Sequence, residues 1–230
     1  YTTLFRSGHG GVATVEYGSM YAENCTFKDN HITSSSSSAH NGGVFYVDSN
    51  GVSLEAKGCT FTGNYISGTK GAFGGVMRTQ ADCEAVYTDC LFDGNHSNYR
   101  GAVFGLNAST RLKVNQCVFK NNYGTGGGII QSGDNCIVYM NGSTFKDNYT
   151  TNSGGWGVVV HSANGNYCVN NCTFYGNVNN NGGGAYVQLN SDGGWLIINS
   201  TLIGPTTTAN TSSALVRDNG SRKLNICNNI

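Results

Sequence analysis

One tetrapeptide recurs along this chain of 230 residues and fixes most of what it can become. Phe-x-x-Asn begins at Phe27, Phe61, Phe92, Phe119, Phe145 and Phe174, with successive spacings of 34, 31, 27, 26 and 29 residues, and Leu202 follows after 28 more. A period of this size marks stacked repeats, each burying its apolar face against the next. A second marker, a pair of small residues before an aliphatic one, precedes each copy: Gly10-Gly11-Val12, Gly42-Gly43-Val44, Gly74-Gly75-Val76, Gly101-Ala102-Val103, Gly127-Gly128-Ile129, Trp156-Gly157-Val158, Gly183-Gly184-Ala185 and Ser212-Ser213-Ala214.

From the second residue of each pair to the following Phe position the separation is 16 to 18 residues, whereas from each Asn to the next pair it runs from 5 to 12. One half of the repeat is rigid and the other is a variable loop. In the rigid half, the residues seven before Phe (Met20, Leu54, Ala85, Leu112, Val138, Tyr167, Trp195) and five before it (Ala22, Ala56, Tyr87, Val114, Met140, Val169, Ile197) are apolar. The column between them is mixed, so the period is two and the element a strand with one buried face. Cys-x-Phe forms a second strand, and the apolar column Phe45, Met77, Phe104, Ile130, Val159, Tyr186 and Leu215 a third. The fold expected is a single all-β domain over 1–230, a right-handed parallel β-helix with three short strands per coil. About eight coils are expected, over 10–41, 42–73, 74–100, 101–126, 127–155, 156–182, 183–211 and 212–230.

Composition agrees. Gly (34) and Asn (30), both poor helix formers, exceed a quarter of the chain, and there is one Pro. Thirteen basic residues balance 13 acidic ones, which gives no electrostatic footprint for nucleic acid. No apolar run approaches the length of a transmembrane helix.

The Asn column (30, 64, 95, 122, 148, 177) is expected to form a corner ladder, since Asn tolerates the left-handed conformation such corners require; Gly63, Gly94 and Gly176, just before the Asn, fit the same corner, as Asp29, Asn121 and Asp147 do by turn propensity. Cys25, Cys59, Cys90, Cys117 and Cys172 share a column with Ser143 and Ser200. Rung spacing permits a disulfide between Cys25 and Cys59 or between Cys90 and Cys117, but the Ser replacements favour free, small side chains. No cofactor and no metal site are expected.

The residues after each Asn (His31, Tyr65, His96, Tyr123, Tyr149, Val178) form an aromatic-rich column at the base of the loops. Packing of loop bases is one reading. The other is a binding face for sugars or a receptor, made of Tyr65, His96, Tyr123 and Tyr149 and extended by Lys70, Tyr99, Arg100 and Trp156. Aligned on the small pairs, Glu16 and Asp48 form the one neighbouring pair of acids, with Arg78 nearby. They are the best candidates for catalysis, although no matched base accompanies them. Asp93 is expected to pair with Lys120 of the next coil.

The alternation of Gly-Gly-Val-Phe (Gly42 to Phe45) or Gly-Gly-Ile-Ile (Gly127 to Ile130) with six copies of Phe-x-x-Asn resembles the repeats of the chlamydial polymorphic outer membrane proteins and related bacterial β-helical surface proteins. The resemblance implies a secreted or cell-surface module of adhesin type that binds a host glycan or protein receptor without catalysis. It covers nearly the whole chain but no membrane barrel. A carbohydrate-active enzyme of the same fold, a polysaccharide lyase or glycoside hydrolase, is the alternative, and a purely structural fibre or scaffold module is a second. The ends are expected to meet further domains or a stacking neighbour, because a β-helix exposes pairing edges there.

Overall fold

The computed structural model describes residues 10–34, 42–48, 50–68, 72–151, 159–162, 164–179, 185–189, 194–203, 206–207, 214–218 and 224–227. Those residues are all-β, and parallel sheets stack them into a β-solenoid. One turn contributes Met77–Thr79, Glu84–Thr88, Leu91–Asp93 and His96–Ser97 to the first, second, third and fourth sheets, then returns to the first at Phe104–Leu106. Each strand pairs in parallel with its counterparts one turn away.

A solenoid of about five turns is supported, not the eight coils expected. The last three small pairs, at 156–157, 183–184 and 212–213, lie outside the described residues. There are also four strands per turn rather than three. The added strand follows the ladder Asn, as in His96–Ser97 and Tyr123–Gly124. It is two to four residues long, too short for an alternation to be read.

The apolar columns of the second and third sheets stack in the expected register, Leu54 with Ala85 and Leu112, and Phe61 with Phe92 and Phe119. The first sheet does so as far as Ile130. There the frame slips by one: Ile130 faces Val160, which faces Val187 and then Val216 in later strands, in place of Val159, Tyr186 and Leu215. A slip of one residue exchanges the two faces of a strand. His161, not Val160, is therefore the register partner of Gln131.

The Phe column fills the core as a stack with ring centroids 4.5–5.0 Å apart. Beside it runs the Asn ladder. Asn122 Nδ2 donates to Asn148 Oδ1 at 3.0 Å and to the Phe92 carbonyl at 3.0 Å. Its Oδ1 accepts from Asn95 Nδ2 and from the Asn95 backbone N–H. All four hydrogen-bonding sites of a buried amide are thereby filled. The left-handed backbone belongs to the residue before each ladder Asn, namely Asp29, Gly63, Gly94, Asn121, Asp147 and Gly176, and not to the Asn itself. The amide thus points inward from ordinary backbone while its neighbour makes the turn.

The cysteine column forms a second ladder. Cys90 N–H donates to Cys117 Sγ at 3.4 Å, and Cys117 N–H donates to Ser143 Oγ at 3.1 Å. All nine cysteines carry free thiols.

The small pairs exist because they fold against the outer face of the next turn. A Cβ on Gly42 would stand 2.6 Å from Arg78 N, and one on Gly43 would stand 1.9 Å from the Gly75 carbonyl oxygen. Backbone packed this closely admits no side chain at Gly42 or Gly43, and Ala102 is the largest residue the second place of a described pair carries.

Candidate ligand-binding face

Phe45 and Val47 point into the core, so Tyr46 between them points outward, as do its rung partners Thr14, Arg78, Gly105 and Gln131. An outer face of a solenoid is ordinarily wet, yet Tyr46 is only 1% exposed and Gln131 8%. The cover comes from the loops that lead back to the first sheet. Phe73 lies over Gly105, where a Cβ would meet the Phe73 Cβ at 2.7 Å. Ser97 Oγ ties two loops together, donating to the Ala72 and Arg100 carbonyls and accepting from Tyr99 N–H.

Arg78 of the first sheet and these loops together carry a continuous series of cations and rings. The Arg78 guanidinium lies 4.5 Å over the Phe73 ring, Phe73 meets Tyr99 edge-on at 5.2 Å, and the Arg100 guanidinium lies 4.7 Å over Tyr99. Beside it runs a polar strip. Gln80 Nε2 donates to the Tyr46 hydroxyl at 2.7 Å, and Asn107 Nδ2 donates to Gln80 Oε1 at 3.0 Å. The Tyr46 hydroxyl donates to the Asp48 carboxylate; burial first, and then that carboxylate, push the phenol's pKa up. Burial pulls the Arg78 guanidinium down to about 10, so it stays charged at neutral pH.

Of the expected catalytic trio, Asp48 and Arg78 flank Tyr46 on this face, and Glu16 is an exposed residue one rung from Asp48. No ion pair joins Arg78 to either acid; the ion pairs among the described residues all use Lys, including the expected Lys120–Asp93 contact at 3.1 Å. Tyr99 and Arg100 belong to this face. Lys70 and Trp156 lie outside the described residues.

Tyr65, His96, Tyr123 and Tyr149 form a different feature. With His31 they stack ring on ring, with centroids 3.7–4.9 Å apart and planes within 15°. Each inner ring has both faces occupied by its neighbours, so the column offers edges rather than faces to a ligand. Burial lowers the pKa of His96 and of His31.

Sequence reasoning missed Phe73 and Tyr46. The available signal was Gly105, a gap in an outward column otherwise filled by Thr, Tyr, Arg and Gln. A groove of about 560 Å³ at the corner between the first and second sheets, lined by Asp82, Glu84, Ser109, Arg111 and Asn135 among others, was missed too. Its Glu84 is already paired with Lys113 at 2.7 Å.

Fold and face together define a parallel β-solenoid with a loop-roofed polar strip along one sheet. No family model, curated protein or solved structure matches the chain.

Proposed function

We propose that this chain is a binding module of a bacterial cell-surface or secreted protein, non-catalytic, which holds a host glycan or receptor against the outer face of its first sheet. The Gly-Gly and Phe-x-x-Asn markers, with the resemblance they carry to the chlamydial polymorphic outer membrane proteins, support this placement, and a right-handed winding belongs to the same reading.

The observation that carries the reading is the series Arg78, Phe73, Tyr99 and Arg100. Aromatic and Arg side chains dominate binding energies, and rings held on a rigid support lose little entropy when a ligand arrives. Here the support is a stack whose corners are tied by saturated amide ladders. Asp48, the best-placed carboxylate for chemistry, is held by the Tyr46 phenol, and the reading assigns it to that contact rather than to proton transfer.

The test is an array of neutral and acidic glycans probed with labelled protein, run beside a cleavage assay on uronic-acid and neutral oligosaccharides. Saturable binding without turnover is expected. Turnover that disappears on replacing Glu16 or Asp48 would establish the lyase or hydrolase alternative instead.

A further inference from the structure

We infer that Arg78 anchors a site for the carboxylate of an acidic sugar, entered from the outer face of the first sheet. The inference rests on the binding-module reading and gives it a ligand class.

Arg78 is a cation without an ion-pair partner among the described residues. Among the described residues its buried Nε has no hydrogen-bond acceptor, no carboxylate lies within ion-pair distance, and the Phe73 ring is its cation–π partner. A guanidinium withdrawn from water in this way is unfavourable unless an anion joins it. Its placement is also enforced: the Gly42 backbone packs against the Arg78 backbone from one side, and Phe73 reaches the ring position only because Gly105 has no side chain.

With Nε sealed beneath the loop, the two terminal nitrogens are left for an external acceptor. Their planar fork matches the two oxygens of a carboxylate. The surroundings favour a sugar as the bearer of that carboxylate. Tyr46, Gln80 and Asn107 supply a run of hydroxyl and amide groups suited to sugar hydroxyls, and Phe73 and Tyr99 supply the apolar wall. Asp48, which accepts from Tyr46, is a negative group on the same face, and it disfavours a doubly charged phosphate more than a singly charged carboxylate.

The experiment follows the Arg78 Nε–Hε cross-peak of ¹⁵N-labelled protein at constant ionic strength during titration with glucuronate, methyl glucoside or inorganic phosphate. Glucuronate is expected to move the peak saturably, methyl glucoside to leave it in place, and phosphate to bind more weakly than glucuronate. Arg78→Lys should weaken glucuronate binding by about tenfold, since the fork is lost. Asp48→Asn, which keeps Arg78 intact, should tighten it by about two- to fivefold. An unmoved peak with glucuronate, equal shifts with methyl glucoside, or tighter phosphate binding overturns the assignment. Glycan-array binding that survives with an unmoved Arg78 peak would overturn this site alone; a glucuronate-dependent shift without any array binding would leave the site and remove the adhesin-type reading.

Discussion

Asn95 and Asn122, 27 residues apart, share one oxygen: Oδ1 of Asn122 accepts both the backbone N–H of Asn95, at 2.9 Å, and its Nδ2, at 3.0 Å. Replacing Asn122 with Ala strands those two buried donors and takes the Nδ2 donor from the Phe92 carbonyl and from Asn148 Oδ1, the latter keeping the backbone N–H of residue 122. Each orphaned group costs about 1–3 kcal/mol, and with partial relaxation the loss should be about 3–5 kcal/mol. Urea unfolding monitored by circular dichroism reads it. A loss below about 1 kcal/mol would mean that the ladder is incidental to stability.

The cysteine column should behave as a hydrogen-bond ladder rather than a redox device. Ser143 already takes the place of a thiol as acceptor for Cys117 N–H. Cys117→Ser should therefore change stability by less than about 1 kcal/mol, whereas Cys117→Ala, which leaves Cys90 N–H without its acceptor, should cost about 1–2 kcal/mol. The facing Cys90 thiol and burial push the Cys117 pKa up, so alkylation of the native protein should mark exposed Cys25 and Cys227 well before Cys117.

Acid should weaken the fold through His96. Burial, reinforced by His31, holds its folded pKa below the ordinary value of about 6.5, so the unfolded chain binds protons more readily. Stability is then undiminished above pH ~6.5, falls as the pH drops from there toward the folded pKa, and levels off below it. His96→Tyr keeps the stack and should flatten this part of the profile, as read from urea midpoints between about pH 7.5 and 5. An unchanged slope would assign the acid sensitivity to other groups.

Gly105→Ala separates the binding face from the fold. The added methyl would stand 2.7 Å from the Phe73 Cβ and so must displace that loop, while the strand itself stays paired. Thermal stability should fall by about 1–3 kcal/mol, as for an overpacked site, and glycan binding should fall with it. Unchanged binding would show that the Phe73 loop does not form the ligand face.

The stacking of this chain was legible because its two markers are locked to structure: Phe fills the core and the following Asn saturates the corner, so aligning either aligns both. What escaped reading has a common physical origin. The fourth strand has too few residues to show a period. The slip at Val160 follows residues 152–158, which lie outside the described residues. The candidate face was half legible. Arg78 and Asp48 stood out as charges in columns, but Phe73 reaches them from a loop, and nothing local in a loop sequence states which sheet it will cover.

The central claim, that the loop-roofed face of the first sheet is where this module binds, is tested most directly by a comparison of three proteins on one glycan array. The proteins are the unaltered chain, the double variant Tyr99→Ala/Arg100→Ala, and Tyr139→Ala, whose ring is exposed on the second sheet. The account predicts that the double variant loses at least about tenfold in affinity, equivalent to roughly 1.4 kcal/mol, while Tyr139→Ala binds as the unaltered chain does. Full binding by the double variant, or an equal loss in both, would contradict it.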